Sequence, residues 1–316
     1  MDSPAPQNSP PAQNRLFWVL AGTIAATLLF FFAVLPRFGF VKVSTVHWLW
    51  TTWNDENKFH EHGWIVAVVM AWFTYKAWKP MSQETVKGSN AGLGWLFLGV
   101  LLWVGGVRTV EGRVAVLSIP FVIFGSVYYA AGWKVARHLI FPLSLTGFMI
   151  PVPGIEQMTN GLAIISSKLA HQFGSLLGIE TVLSGTKIRA VHGEWGEFQV
   201  DDGCSGIRSL VALMLISYAY AIVVHKSWRE RIIILAAALP IAVVANGVRI
   251  TTILIVANIN HTFASETWHN YSGFFSFAAA FGLLMLLSLI MRKGLRALRP
   301  KAKVIQVGQL PKTSEL

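Results

Sequence analysis

From Leu16 to Leu35 the chain runs for twenty residues without one charged side chain. Wound as a helix at ~1.5 Å per residue, such a run crosses the ~30 Å hydrocarbon core of a bilayer. Backbone polar groups find no water there, so a single segment of this length is confined to the helix, which pairs its own N–H and C=O groups. No small-residue cleavage site comes after Leu35, and the run reads as an anchor instead of a signal peptide. Further runs lie at about 63–79, 92–107, 114–131, 138–153, 204–225, 231–258 and 270–291. The weakest are 63–79, which contains Lys76, and 138–153, which is short and ends in IPVPG. One of these two is expected to be tilted or re-entrant. The fold class is therefore an all-α polytopic membrane protein of about eight transmembrane helices. Composition agrees, with 54% hydrophobic and only 13% charged residues, against roughly 25% charged in a soluble domain.

Charge sets the orientation. The net charge of +11 is spread in short basic clusters between the apolar runs, not gathered on one face, which argues against a nucleic-acid partner. Arg292, Lys293, Arg296, Arg299, Lys301 and Lys303 come after the last run, and Lys226, Arg229 and Arg231 lie in the link HKSWRER. Both clusters are expected in the cytoplasm, and eight spans then put both termini inside. Only the RTVEGR loop, with Arg108 and Arg113, opposes this arrangement. Residues 1–15, rich in Pro, Gln, Asn and Ser, read as a disordered cytoplasmic tail, 16–291 as the membrane domain and 292–316 as a basic cytoplasmic tail.

On that topology 154–203 emerges on the outer face. Its first part, EQMTNGLAIISSKLAHQFGSLLGI, spaces apolar residues at three and four and predicts an amphipathic helix on the membrane interface. Its second part, TVLSGTKIRAVHGEWGEFQV, alternates around Ser184-Gly185 and His192-Gly193 and predicts two or three short strands.

This segment delivers the chain to DDGCSGIRSL, whose Cys204 is the one cysteine of the protein. A single cysteine excludes an internal disulfide, so the thiol is either a small buried residue or a reactive group. It falls near the first turn of a helix, where unpaired N–H groups favour a thiolate and hold an oxyanion. Arg208 comes one turn deeper on the same face, while Asp201 and Asp202 oppose a thiolate unless they cap or pair. In ALPIAVVANGVRITTILIVANIN, Asn246 and Arg249 interrupt an apolar run, with Arg249 18 residues beyond Arg231, or ~27 Å along a helix. A charge inside a span is costly and normally faces a polar site. TWHNYSG brings His269 in where the last run begins, again near the outer boundary. A thiol, a guanidinium and an imidazole at one depth suffice for acyl transfer: nucleophile, oxyanion donor, and general base then acid.

The blocks DDGCSGIRSL, PIAVVANGVRI and His269 with Gly273 resemble the three signature blocks of the exosortase/archaeosortase family, and FHEHGWIV at 59–66 and FMIPVPG at 148–154 extend the resemblance. It implies a membrane cysteine transpeptidase or protease, without cofactor or metal, that processes secreted proteins at a C-terminal sorting tail. Such a tail has a short Pro-Glu-Pro-like motif, an apolar helix and a basic cluster. The family's Cys, Arg and His fall on Cys204, Arg249 and His269, with Arg208 as the extra arginine of the first block. Asn246, Asp202 and His62 are auxiliary or substrate-contacting candidates, His62 at the outer mouth of the site. The partners implied are membrane-anchored substrate proteins and an acceptor amine or glycan, with the site on the extracytoplasmic side of the cell membrane. The acids before the Cys, and the Gly203 next to them, depart from many relatives.

Other features carry less. The H-x-H of His60 and His62 is not the spacing of a helical zinc site. His171, His192, His225 and His261 read as surface or interfacial groups. The rival class is a transporter or polysaccharide-assembly protein whose buried arginines hold an anionic substrate, with Cys204 dispensable.

Overall fold

The computed structural model describes residues 22, 25–35, 43–55, 62–151, 154–192, 196–200 and 206–297, the side chains of 155, 156 and 293–297 excepted. Ala25–Val34 forms α1. After it come α2 (Thr45–Trp53), α3 (Gly63–Ser82), α4 (Ala91–Arg108), α5 (Gly112–Ala131), the short α6 (Trp133–Ala136) and α7 (Ile140–Ser144), and α8 (Ile155–Leu176). Strands β1 (Thr181–Ser184), β2 (Lys187–Ala190) and β3 (Glu197–Gln199) precede α9 (Ile207–Val224), α10 (Trp228–Ile259) and α11 (His269–Ala297).

Among the described residues five helical stretches are long and apolar enough to cross a membrane: α4, α5, α9, α10 and Phe263–Arg292, which takes in α11 as far as Arg292. The protein is thus a multi-pass membrane protein, but with five such stretches against the eight runs of the sequence. Of the first run only Gly22 and the ten residues of α1 are described as helix. α3 has the length, 20 residues, but carries Lys76, Lys79 and Pro80 in its second half. The run 138–153 is no single helix: Arg137–Leu139 and Leu145–Phe148 are 3-10 turns on either side of α7. Gly132, at φ +88°, ends α5 just before it, and Pro142 supplies no N–H. Its Leu139, Leu143 and Leu145 are buried against neighbouring helices, so the broken backbone sits within protein.

α4 and α5 form the most intimate helix pair, because glycines remove the side chains between them. Gly92, Gly99 and Gly106 recur at seven on α4 and lie along one face. A Cβ on Gly99 would stand 2.7 Å from the Val122 nitrogen and one on Gly106 2.6 Å from the Ala115 nitrogen. One on Gly92 or on Gly125 would meet the backbone of Tyr129 or Leu96. Without a hydrophobic force between helices in lipid, such close backbone contact supplies the attraction. Gly99→Leu is expected to cost about 3 kcal/mol or more and to lower the melting temperature in detergent. Gly94→Leu, on the same helix with nothing within 4 Å of its Cβ position, is expected to melt like the parent.

At the α9–α10 turn His225 is buried, at 1% exposure, which corrects the surface position read from sequence. Its Nδ1 pairs with Glu230 at 2.6 Å and its Nε2 with the Ser288 hydroxyl at 2.8 Å. The Tyr220 hydroxyl donates to Ser288 at 3.0 Å and Arg231 Nε donates to the His225 carbonyl at 2.8 Å. A histidine at the start of a basic link reads as interfacial only until its partners, five and 63 residues away, are known.

The segment after α7 is built on α10. Ala163 and Ala170 of α8, Ile188 of β2 and Val200 after β3 form one apolar cluster with Ile250, Leu254 and Ala257. The sheet is antiparallel in the order β1-β2-β3, with Thr181 opposite Ala190 and Ile188 opposite Phe198. His171 Nδ1, 2.7 Å from Thr181 Oγ1, fastens α8 to β1. The buried face of α8 is therefore turned to α10.

Candidate active site

The site is assembled on one turn of α10. Asn246 and Arg249, at i and i+3, share a face and are 5% and 8% exposed. Arg249 Nε–H donates to Ser272 Oγ at 3.1 Å and Nη2–H to the His269 carbonyl at 3.3 Å. The Ser272 hydroxyl donates to the same carbonyl at 3.1 Å. Neither acceptor is charged, so these bonds orient the guanidinium without neutralising it. Gly273 adjoins it: a Cβ there would lie 3.5 Å from Arg249 Cζ.

A second set of bonds fixes the same two turns. Trp268 Nε1–H donates to Thr252 Oγ1 at 3.1 Å, and the Thr252 hydroxyl donates to the Arg249 carbonyl at 2.7 Å. Trp268 also stacks on Phe275, with ring centroids 5.8 Å apart. The chain leaves α10 through the extended Asn260, whose side chain accepts the Phe263 N–H at 3.0 Å, and Phe263–Trp268 is π-wound. His269 therefore enters from a helical turn already under way. A π segment widens the turn and rotates the side chains after it about the helix axis, His269 first among them. The half-buried His269 ring lies 6.4 Å from the Phe198 ring of β3.

Gly206, at φ +82°, begins α9. A Cβ on it would fall 2.6 Å from Asn246 Cγ, so both its backbone conformation and its neighbour require glycine. Asn246 Nδ2–H donates to Ser166 Oγ of α8 at 3.0 Å, and Leu169 fills the space over Gly247. In β3 the Glu197 carboxyl is held below the usual carboxylate range by its bond from Lys187, then by that from Arg189, at 2.8 and 3.0 Å.

Of the residues singled out from sequence, Asn246, Arg249 and the backbone of His269 thus converge with Gly206. Arg208 stands exposed in the first turn of α9. His62 is held by the Phe148 carbonyl, 3.2 Å from Nε2, beside the bond from Trp53 Nε1–H to the Met149 carbonyl. The Trp53 indole covers Gly63, so the His-Gly of one block is fitted to the FMIPVPG of another. Cys204 and Asp202 lie outside the described residues. Sequence reading missed Ser166, Thr252, Trp268 and Ser272. The one available signal was position: Ser272 is three residues after His269 and shares its helix face.

A family model described as a transmembrane exosortase matches residues 50–286, three quarters of the 316 residues. No curated protein and no solved structure gives a significant match.

Proposed function

This chain belongs to the transmembrane exosortase family, and on that premise we propose that it is a cysteine transpeptidase or endopeptidase acting on C-terminal sorting tails of secreted proteins. The observation that carries the reading is the convergence of three elements. Arg249 is buried and bonded to the turn that starts with His269, while Asn246, one turn away, packs on Gly206. Two peptide units separate Gly206 from Cys204, a reach of at most about 7 Å.

The Cys204 thiolate attacks the scissile carbonyl, and the C–N bond breaks as His269 delivers a proton to the leaving amine. Arg249 carries the negative charge of the tetrahedral oxygen, with Arg208 as a second cation at the mouth of α9. The thioester is then resolved by an acceptor amine or by water, which loses its proton to His269. The apolar helix of the tail lies among α9, α10 and α11 with its basic end in the cytoplasm, and the site faces the extracytoplasmic side.

An ordinary thiol, with a pKa of about 8.5, is only a few per cent ionised at neutral pH. The test is the pH dependence of Cys204 alkylation by a membrane-impermeant maleimide in intact cells. The parent is expected to label rapidly with an apparent pKa well below about 8.5, and Arg249→Ala and His269→Ala to move it back towards that value. Accessible but slow labelling, alike in all three, would return the transporter reading to the front.

A further inference from the structure

We propose that Ser272 is a positioning residue of this site: it sets the rotation of the Arg249 guanidinium and locks it to the turn that bears His269. The inference rests on the function proposed above. A helical serine ordinarily directs its O–H to a carbonyl three or four residues back, and Ser272 does so on His269 at 3.1 Å. Its oxygen additionally receives Arg249 Nε–H at 3.1 Å, at 2% exposure. The arginine is thereby held at two points, Nε on Ser272 Oγ and Nη2 on the His269 carbonyl. A planar five-donor fork pinned at two points has one orientation left, and its three remaining N–H bonds keep a fixed direction. Those bonds serve the thiolate and the tetrahedral oxygen, a task that depends on donors held in place before charge develops.

Without the hydroxyl the guanidinium turns about its stem, and the His269 carbonyl keeps one side-chain donor instead of two. Ser272→Ala removes one oxygen atom and leaves the helix intact, whereas Ser272→Thr retains the hydroxyl. Each is compared with the parent, Cys204→Ala and Arg249→Ala. Two readouts are used: cleavage of a reporter protein carrying a Pro-Glu-Pro motif, an apolar helix and a basic end, and the pH profile of maleimide alkylation of Cys204. Melting in detergent normalises both for folded protein.

Ser272→Ala is expected to slow cleavage about 10- to 100-fold, mainly in kcat, and to move the alkylation profile in the direction of Arg249→Ala. Ser272→Thr is expected to restore both. If Ser272→Ala matches the parent, or slows cleavage while its alkylation profile stays that of the parent, the positioning role is wrong and the proposed function stands. If Cys204→Ala cleaves normally, or Arg249→Ala leaves the profile unmoved, the functional reading itself fails and this inference fails with it.

Discussion

Cys204→Ala is expected to abolish tail cleavage, lowering its rate on the order of 10⁴-fold or more, while the protein accumulates and melts like the parent. The magnitude comes from the role. Removing a nucleophile leaves only binding and polarisation of the scissile bond, and the residual members of such a unit do not substitute for it. Cys204→Ser is expected to be nearly as inactive, since a hydroxyl is far less acidic than a thiol and Arg249 stabilises too little charge to close that gap. The measurement is single-turnover cleavage of the tailed reporter in proteoliposomes. Cleavage within tenfold of the parent in Cys204→Ala would remove the cysteine from the mechanism.

The second large effect falls on Arg249. Arg249→Ala is expected to slow cleavage about 10²- to 10³-fold, the usual cost of losing an oxyanion donor. It also leaves the oxygens of Ser272 and His269 without the N–H bonds they accept at 3.1 and 3.3 Å. Some stability is therefore lost as well, since a buried acceptor deprived of its donor costs about 1–3 kcal/mol. Arg249→Lys separates the two contributions. An ammonium keeps the charge but has no fork with which to bind both oxygens and still face the substrate. Thermal melting of Arg249→Lys is expected to approach that of the parent while cleavage stays about 10²-fold slow. Full activity of the lysine variant would show that a bare positive charge suffices.

Much of the fold was legible because membrane helices are dictated locally. The runs at 92–107, 114–131, 204–225, 231–258 and 270–291 contain or overlap α4, α5, α9, α10 and α11, and the strands appear where alternation placed them. The segment 138–153 was not legible as an element. Its apolar residues are as consistent with a span as with the buried broken turns that form, and the choice lies with Gly132 and with the partners in α3 and α5. His225 was misjudged for the same reason, its partners being remote in sequence.

In the site, Asn246 and Arg249 announced themselves as polar groups in an apolar run, since hydrocarbon tolerates such groups only with a partner. Ser166 and Ser272 did not. Helical serines are common in spans, and nothing local distinguishes one bonded to its own helix from one that also holds a guanidinium. Likewise, the offset that sets His269 after the π-wound Phe263–Trp268 leaves no mark in the pattern of apolar residues.

The order of residues along the chain is enough to make this a multi-pass helical membrane protein of a recognisable family, because run length and charge placement act through the backbone and the bilayer alone. Which helix faces meet is settled at the tertiary level. Rotation and axial offset between helices depend on contacts between remote residues, such as Gly206 under Asn246, Ser272 on Arg249 and the glycine seam between α4 and α5. Of these only the glycines recur at a fixed spacing, every seven residues along α4, and that spacing does not name the partner helix.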